Sequence, residues 1–300
     1  MKNLDEIVAR MRLTPGKKVR LKDHNPAWDG DDDIPEAERR ELAARVLAES
    51  VEELATAQEL LYASDHWAVL VILQGIDASG KDGTIKHVMS GVNPQGVTVT
   101  SFKQPSAEEL DHTFLWRCVK ALPRRGEIGI FNRSYYEEVL VVKVHPELVS
   151  RQRIPNADPT RKKFWKGRYE DINQLERHLS RNGVRIVKFF LHLSREEQRL
   201  RFLERTEKPE KNWKFSAQDL AERARWDDYQ RAYEDMLTAT TTKWAPWHVI
   251  PADRKWITRA AVAHILATEI AALDLKFPEV SAERRAEIAA CRQKLLSEAK

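Results

Sequence analysis

The sequence predicts an α/β protein built on a parallel five-stranded sheet with helices on both faces. Short apolar runs alternate along the 300 residues with longer stretches of helical period, which is the order expected of such a sheet. The run at 69–74 is almost continuously apolar, and this is typical of a strand that is buried on both faces. A glycine-rich loop follows the run at once, so we expect the functional site at the end of this strand.

Each predicted element depends on a local pattern. The first long helix extends from Pro35 to about residue 63, where Leu42, Val46, Leu54 and Leu61 belong to an apolar stripe of helical period. Strands are predicted at 69–74, 97–102, 127–131, 185–193 and 244–253. The other helices are predicted at 1–12, 84–89, 108–121, 169–181, 198–229, 255–273 and 281–298.

Composition excludes some classes of function. Fifty Lys and Arg residues against 46 Asp and Glu residues leave a net charge of +4, which is too small to indicate a nucleic-acid partner. Cys118 and Cys291 are far apart and form neither a metal-binding spacing nor a disulfide framework. The sequence has no run of about 18 apolar residues and no signal-peptide core. We therefore expect a cytoplasmic protein with no membrane and no nucleic-acid partner.

The loop after the first strand is predicted to bind phosphate. Its sequence, Gly75-Ile-Asp-Ala-Ser-Gly-Lys-Asp-Gly83, fits the G-x-x-x-x-G-K pattern of the Walker A motif, in which backbone N–H groups surround a phosphate. Lys81 would neutralise the phosphate charge, and the helix that follows directs its positive end at the same anion. The alternative is an ordinary strand-to-helix turn with a surface lysine. The predicted phosphate-binding residues here are Gly75, Ala78, Ser79, Gly80, Lys81, Asp82, Gly83 and Lys86.

One position departs from the usual motif. Asp82 stands where a Ser or Thr hydroxyl commonly holds Mg²⁺. Asp77 and Asp82 are the nearby oxygen donors that could replace the hydroxyl, because Mg²⁺ prefers one or two carboxylates together with water and phosphate oxygens. We therefore expect Mg²⁺ as cofactor, with Asp77 as its first ligand.

A polar cluster follows the third strand, from Asn132 to Glu138. Ligands bind outside the carboxyl ends of parallel strands, so this cluster is expected to face the phosphate loop. Asn132 stands where a Walker B carboxylate is common, and the planar fork of Arg133 suits phosphate oxygens. We predict that Asp77, Asn132 and Glu137 contact the nucleotide. The alternative is that these polar residues only cap the strand.

Two basic segments are candidates for further phosphate contacts. Segment 198–229 is predicted to form two helical arms split at Pro209, which could close as a lid, although acidic neighbours also fit an exposed, salt-bridged helix. Trp213 and Trp226 in this segment could stack on a base. Segment 151–168 is expected to be a docked basic loop, the alternative being a solvated surface. The lid residues predicted to bind phosphate are Arg201, Arg205, Lys208, Lys211 and Lys214.

Strand, phosphate loop and lid together predict a P-loop kinase fold. Its chemistry depends on positioning and charge neutralisation, so Lys81, Arg133 and cations of the lid beside Mg²⁺ are the expected apparatus. The predicted domains are an N-terminal arm at 1–34, a kinase domain at 35–277 with its lid at about 198–229, and a C-terminal helix at 278–300. The arm is basic and then acidic, and its simplest interpretation is a solvated terminus.

Several separated motifs in the same order resemble the polyphosphate kinase 2 family. They are the phosphate loop, Phe131-Asn-Arg-Ser-Tyr-Tyr-Glu-Glu-Val139 with Val144-His-Pro146 after it, Lys211-Asn-Trp-Lys214 and Ala245-Pro-Trp247. The resemblance extends from about 19 to 277. It implies reversible, Mg²⁺-dependent transfer of the terminal phosphate of inorganic polyphosphate to ADP, forming ATP. It also implies a metal- and nucleotide-binding carboxylate at Asp77, a phosphate-bridging Lys81 and a phosphate-binding Arg133.

The resemblance also indicates which nucleotides accept the phosphate and which partners are expected. Many members have Asp where this chain has Asn132, and the Asn with the Tyr-Tyr-Glu-Glu run resembles the subgroup that acts on both nucleoside mono- and diphosphates. AMP is therefore expected beside ADP, and guanine nucleotides are further candidates. The lid and the 151–168 segment would line a polyphosphate channel. A homo-oligomer, either a dimer or a tetramer, is also expected.

Two other functions fit parts of the sequence. An ATP-dependent nucleoside monophosphate kinase of the thymidylate-kinase type also carries an Asp in its loop and an Arg at the strand end, but it would not need the basic 151–168 segment. A P-loop regulator that binds nucleotide without turnover would fit the missing Ser or Thr and the amide at Asn132.

Overall fold

The computed structural model describes residues 4–30 and 34–298 and confirms the α/β architecture. Five parallel strands form one sheet in the order β2-β3-β1-β4-β5. The strands are β1 (Ala68–Gln74), β2 (Val97–Ser101), β3 (Ile128–Asn132), β4 (Val184–His192) and β5 (Trp247–Pro251). All five were predicted, with bounds that differ mostly by one to three residues.

Helices cover the sheet and connect its strands. In chain order they are α1 (Leu4–Met11), α2 (Glu36–Ser64), α3 (Lys81–Val88), α4 (Ala107–Leu110), α5 (Trp116–Lys120), α6 (Val141–Val144), α7 (Lys162–Arg181), α8 (Arg195–Glu207), α9 (Pro209–Asn212), α10 (Ala217–Ala224), α11 (Trp226–Thr240), α12 (Lys255–Ala271) and α13 (Ala282–Glu298). Short 3-10 helices lie at Leu21–Asp23, Pro94–Gly96, Tyr135–Val139 and Pro146–Gln152.

The central strand β1 explains where the site lies. It is buried along its whole length and pairs with β3 on one side and β4 on the other. Its carboxyl end is therefore surrounded by the ends of two other strands, and the loop that leaves it stands in the middle of this edge. The apolar sequence of β1 is what allows a strand to occupy this position.

The long helices α2 and α12 pack against each other. Leu54 and Leu61 of α2 and Ile270 of α12 are fully buried in the core. The apolar stripe predicted for the first helix is the side that α2 buries, since Leu54 and Leu61 belong to it. Helix α12 also contacts β4 and β5, so the two helices form part of the layer that covers the sheet.

The N-terminal arm is docked, so its interpretation as a solvated terminus was wrong. Leu13 donates its backbone N–H to Trp247 O at 2.8 Å, and Val19 and Leu21 are buried in the core. The backbone N–H of Leu21 also donates to Glu234 Oε1 at 2.8 Å. Residues 1–3 and the acidic 31–33 lie outside the described residues.

Three segments, two of them predicted helices and one a predicted loop, differ from the structure. The helix expected at 108–121 is broken into α4 and α5. Phe114 lies between them, and its ring is 4.5 Å from the Arg168 guanidinium, a long-range contact that the local sequence does not specify. The second half of the basic 151–168 segment is not loop but the first turns of α7. The region 198–229 forms three short helices before α11 rather than two arms. We call α8, α9 and α10 the lid.

The structure also shows how far Trp226, the two cysteines and the last helix are buried. Trp226 begins α11 and is buried in the core, so its predicted role in stacking on a base was wrong. Cys118 is buried in α5 and Cys291 is exposed on α13. Helix α13 has no buried residue. Within 4–30 and 34–298, we find no helix that combines the length and the apolar character needed to cross a membrane.

Candidate active site

The backbone of the phosphate loop needs glycine at two of its positions. Gly75 has φ 158°, and a Cβ there would lie 2.7 Å from Ser79 Oγ and 2.8 Å from Leu191 O. Gly80 has φ 101° and directly precedes the first residue of α3. By contrast, Gly83 lies inside α3, and the nearest atom to a Cβ there is 3.9 Å away. The motif glycines Gly75 and Gly80 therefore fix the shape of the loop, whereas Gly83 does not.

Lys81 lies folded inside the loop. Its Nζ donates to Gly75 O at 2.7 Å and to Ile76 O at 3.3 Å, and only 8% of the residue is exposed. Burial, with a smaller contribution from the charge of Arg133, lowers the pKa of the Lys81 ammonium to about 8. The ammonium is thus held by backbone oxygens at the position where the motif predicts phosphate, and a phosphate group would supply a stronger, charged partner.

The lid supports this loop from the side. Gln198 donates to Asp77 O at 3.0 Å. The buried guanidinium of Arg201 donates to Ala78 O at 2.8 Å and to Ala252 O at 2.6 Å. Arg201 was predicted to bind phosphate, and the structure places its guanidinium beneath the loop, on backbone carbonyl groups.

Arg133 connects the strand-end cluster to the loop. Its guanidinium donates to Asp77 Oδ1 at 2.5 Å and lies 3.8 Å from Glu137 Oε2. The negative charge of Glu137 is the main reason that the pKa of Arg133 is raised. Burial raises the pKa of the Glu137 carboxyl, although the charge of Arg133 opposes this shift. The structure therefore brings together the three residues that were predicted to act on phosphate and nucleotide at this edge.

Asn132 faces the other end of the loop. Its Nδ2 donates to Asp82 Oδ1 at 2.7 Å. The side chain therefore does more than cap the strand, since it joins β3 to the start of α3. A carboxylate at this position would instead face the carboxylate of Asp82 across the same short distance.

Asp77 and Asp82 are the two carboxylates of the phosphate loop that could provide ligands to Mg²⁺ together with phosphate oxygens. No group of three or more His, Cys, Asp or Glu side chains positioned for a metal occurs among residues 4–30 and 34–298. Mg²⁺ does not need such a cage, because it keeps several waters and binds one or two carboxylates together with phosphate oxygens. Two carboxylates beside a phosphate loop meet that requirement.

A cleft of about 460 Å³ opens beside Arg133. Phe102 and Phe114 contribute apolar walls, and a guanidinium lies near each ring, Arg117 at 5.0 Å and Arg168 at 4.5 Å. Pockets of this size and mixed character are typical of small-molecule sites. A second cavity of about 30 Å³ lies at the phosphate loop itself. The two cavities share Arg133, Glu137, Val141 and Glu222.

Helix α10 of the lid covers the site with acidic as well as basic side chains. Glu222 accepts hydrogen bonds from Tyr229 OH at 2.7 Å and pairs with His145 Nε2 at 2.9 Å. Asp219 lies beside the phosphate loop, and burial raises the pKa of its carboxyl. Sequence reasoning missed these residues. A signal existed only for His145, which stands in the Val144-His-Pro146 motif.

The other lid cations predicted to bind phosphate each have a partner. Lys208 and Lys211 both donate to Glu204 Oε1 at 2.7 Å. Arg205 lies 3.6 Å from Asp219 Oδ2, and Lys214 lies 4.9 Å from the ring of Trp213. Trp213 is 78% exposed. Lys86 is exposed on α3. The structure thus gives Lys208, Lys211 and Lys214 partners within segment 198–229, and it places Arg205 beside Asp219, which also lines the cavity at the phosphate loop. We call Lys208, Lys211 and Glu204 the outer lid.

The basic 151–168 segment has acidic partners of its own. Arg168 Nε lies 3.1 Å from Glu138 Oε1, and burial raises the pKa of Glu138 to about 7. Arg161 pairs with Asp158 at 2.8 Å, whereas Arg151 lines the large cleft. The segment therefore combines packed, paired and cleft-facing cations.

Comparison with known proteins supports one family. The family model described as Polyphosphate kinase 2 matches residues 37–278. An ADP-polyphosphate phosphotransferase of Rhodopseudomonas palustris is 51% identical over 287 residues, which is 96% of this chain and 98% of that protein. An AMP/ADP-polyphosphate phosphotransferase of Meiothermus ruber is 44% identical over 270 residues, 90% of this chain and 95% of that protein.

A solved structure extends this likeness to three dimensions. The crystal structure of Polyphosphate Kinase 2 from Arthrobacter aurescens TC1 superposes with a TM-score of 0.84 at 37% identity, covering 97% of both chains. The likeness thus covers the sheet, the phosphate loop and the lid. The chain therefore belongs to the polyphosphate kinase 2 family, and it is an enzyme of the transferase class with a P-loop kinase fold.

Proposed function

We propose that this enzyme transfers the terminal phosphate of inorganic polyphosphate to ADP, forming ATP, and that it also accepts AMP. The names of the relatives from R. palustris and M. ruber support polyphosphate as donor and these nucleotides as acceptors. Guanine nucleotides are further candidates as acceptors. We propose that the reaction is reversible, because it exchanges one phosphoanhydride bond for another.

The observation that carries this proposal is the pair of adjacent cavities, which share four lining residues. The larger cleft, at about 460 Å³, has room and aromatic walls for a nucleoside, whereas the cavity at the phosphate loop, at about 30 Å³, suits a phosphate group. Arg133 lines both cavities, so a guanidinium stands where donor and acceptor phosphates would meet. A slender donor made only of phosphates suits the smaller cavity, and a nucleotide acceptor suits the larger cleft.

The roles of the side chains follow from their places. The loop N–H groups and Lys81 would hold the transferring phosphate, and Arg133 would stabilise charge on it during transfer. Asp77 orients Arg133 through their ion pair. Helix α10 closes over the site and would exclude water, which keeps the phosphate from hydrolysis. Asp77 and Asp82 would hold Mg²⁺, which when bound neutralises charge on the phosphates.

One assay separates this proposal from its rivals. Purified protein is mixed with ADP, long-chain polyphosphate and Mg²⁺, and ATP is measured; parallel samples replace ADP with AMP, or replace polyphosphate with ATP and a nucleoside monophosphate. We expect ATP from the polyphosphate samples. Turnover only with ATP as donor would favour a thymidylate-kinase-type enzyme, and no turnover in any sample would favour a regulator.

We also propose a cytoplasmic homo-oligomer, a dimer or a tetramer, which follows from the family resemblance. Light scattering coupled to gel filtration measures the mass of the assembly directly. A mass of two or four times 34.7 kDa is expected, and a mass of 34.7 kDa would contradict the proposal.

A further inference from the structure

A buried polar cluster lies beside the 3-10 helix Tyr135–Val139, which follows β3. Tyr135 OH and Tyr136 OH donate to the same carboxylate oxygen, Glu176 Oε1, at 3.0 Å and 2.6 Å. Lys188 Nζ contacts the other oxygen, Glu176 Oε2, at 2.7 Å. Glu176 and Lys188 are fully buried, and at most 3% of either tyrosine is exposed. We call these four residues the tyrosine–carboxylate cluster.

Each of the three N–H groups of the Lys188 ammonium has a hydrogen-bond acceptor. Besides Glu176, it donates to Tyr136 OH and to Thr240 O, each at 2.8 Å. Its charge also lies 5.0 Å from the ring of Trp247. The ammonium therefore joins β4, α7, α11 and the loop after β3 at one point.

Stability alone is a weak explanation for such a cluster. Removing two charges from water costs several kcal/mol per ion, and well-packed apolar residues often serve a core as well or better. A fully satisfied buried network does, however, fix the positions of the groups that it joins. The question is therefore which part of the molecule the cluster holds in position.

The cluster holds the segment that carries Arg133. Tyr135 and Tyr136 follow Arg133 by two and three residues, and they precede Glu137. Arg133 has φ 64°, a left-handed conformation that a residue with a side chain keeps only where its surroundings impose it. Before Arg133 the chain is held by pairing of β3 with β1, and the Arg133 N–H donates to Leu73 O at 3.1 Å.

We propose that the tyrosine–carboxylate cluster is the second anchor, with Glu176 and Lys188 as positioning residues for Arg133 and Glu137. In the 3-10 helix Tyr135–Val139, Tyr135 and Tyr136 bind Glu176, and the next residue, Glu137, lines the cavity at the phosphate loop. The proposal rests on the proposed function, because it assigns the cluster a part in phosphate transfer. A shift of about 1 Å in a group that acts on the transition state can cost about 10²-fold in rate.

The test removes the two hydroxyls and keeps the rings. In the Tyr135→Phe/Tyr136→Phe variant the Glu176–Lys188 pair remains, but the loop loses its bonds to it. We expect kcat for ATP formation to fall by roughly 10-fold to 10²-fold, while KM for ADP changes by less than about threefold, because the ring of Tyr135, which lines the cleft, is kept. Hydrogen exchange of the peptide at 133–139 should rise, with β1 and β4 unchanged.

Two controls separate positioning from general loss of stability. Tyr169→Phe removes a hydroxyl from α7, where it accepts a bond from Lys143 at 3.0 Å, outside the cluster. Ile270→Ala destabilises the remote core, since Ile270 is fully buried in α12. Both should keep kcat close to wild type when rates are corrected for the folded fraction. The single variants Tyr135→Phe and Tyr136→Phe carry the same test if the double variant does not fold.

The kcat and hydrogen-exchange results together test the positioning proposal. A loss of kcat no larger than in Ile270→Ala, or unchanged exchange at 133–139, would overturn the proposal. A wild type that makes no ATP from polyphosphate would overturn the proposed function, and the exchange measurement would then still decide whether the cluster anchors the loop. Loss of kcat together with faster exchange confined to the loop would support positioning.

Discussion

The phosphate loop and the lid border the same site, but they are built in opposite ways. In the loop, Lys81 is buried and donates to backbone carbonyl groups. In the lid, Lys208 and Lys211 lie at the surface and share the carboxylate of Glu204. The loop is therefore shaped by the fold itself, whereas the outer lid is shaped by pairs of exposed side chains.

This difference separates two tasks. Backbone contacts within a buried loop leave few alternative arrangements, so the loop can bind phosphate with little reorganisation. Exposed ion pairs contribute little stability and are screened by salt, so the outer lid can exchange its partners for a polyanion. We infer that the loop supplies rate and that the outer lid supplies affinity for a long donor.

The largest effect is expected in the loop. Lys81→Ala should lower kcat by about 10²–10³-fold, the usual loss for one contact to transition-state charge, with little change in the melting temperature. Lys86→Ala on the same helix, where the side chain is exposed, is the matched control and should cost less than about tenfold. Near-normal kcat in Lys81→Ala would place phosphate binding elsewhere.

The pH dependence gives a second test of the loop. The Lys81 ammonium is charged below its pKa of about 8 and neutral above it. We expect kcat/KM, which reports the free enzyme, to fall above about pH 8 by roughly tenfold per pH unit. In Lys81→Arg the side chain stays charged, so this decline should disappear even if the rate is lower. The same decline in Lys81→Arg would assign it to another group.

A smaller effect is expected at the edge of the loop, where Asn132 donates to Asp82. Asn132→Asp places two carboxylates together, and we expect the ratio of kcat/KM for AMP and ADP to change by about fivefold, the value of one hydrogen bond. The exchanged pair Asp82→Asn/Asn132→Asp restores donor and acceptor and should recover part of the ratio. An unchanged ratio would show that Asn132 does not select the acceptor, and a wild type inactive on AMP would refute the dual acceptor.

The smallest effect is expected in the outer lid. Raising ionic strength from about 0.05 to 0.5 M should raise KM for long-chain polyphosphate by about two- to threefold, with kcat nearly constant. Lys208→Gln/Lys211→Gln should flatten this dependence. Lys276→Gln, which removes an exposed lysine paired with Asp274 at 3.5 Å, is the control and should not. Equal salt dependence in all three proteins would remove the outer lid from the donor site.

The fold could be predicted from the sequence because its strongest signals are local. The apolar run of β1, the glycines of the loop and Pro209 each determine backbone structure within a few residues. The break between α4 and α5 could not be predicted in this way, because Phe114 at the break contacts Arg168, a residue far away in sequence. The docking of the N-terminal arm likewise depends on a distant partner, Trp247.

The same distinction between local and long-range signals applies to the residues of the site. Lys81, Asp77 and Arg133 belong to short motifs, and the structure brings them together. Arg201 looked like any other lid cation, and only the fold shows that its guanidinium lies beneath the loop. The acidic residues of α10 had no motif of their own, so their position over the site became visible only in three dimensions.

The order of strands in the sheet has a consequence for how the chain folds as it is synthesised. β1 lies between β3 and β4, and β4 ends at His192. A strand in this position gains its second neighbour only after most of the chain has left the ribosome, and such long-range pairing is slow. The apolar strand β1, which also leads into the phosphate loop, therefore stays partly unpaired during synthesis, and unpaired apolar strands of this kind are prone to aggregation.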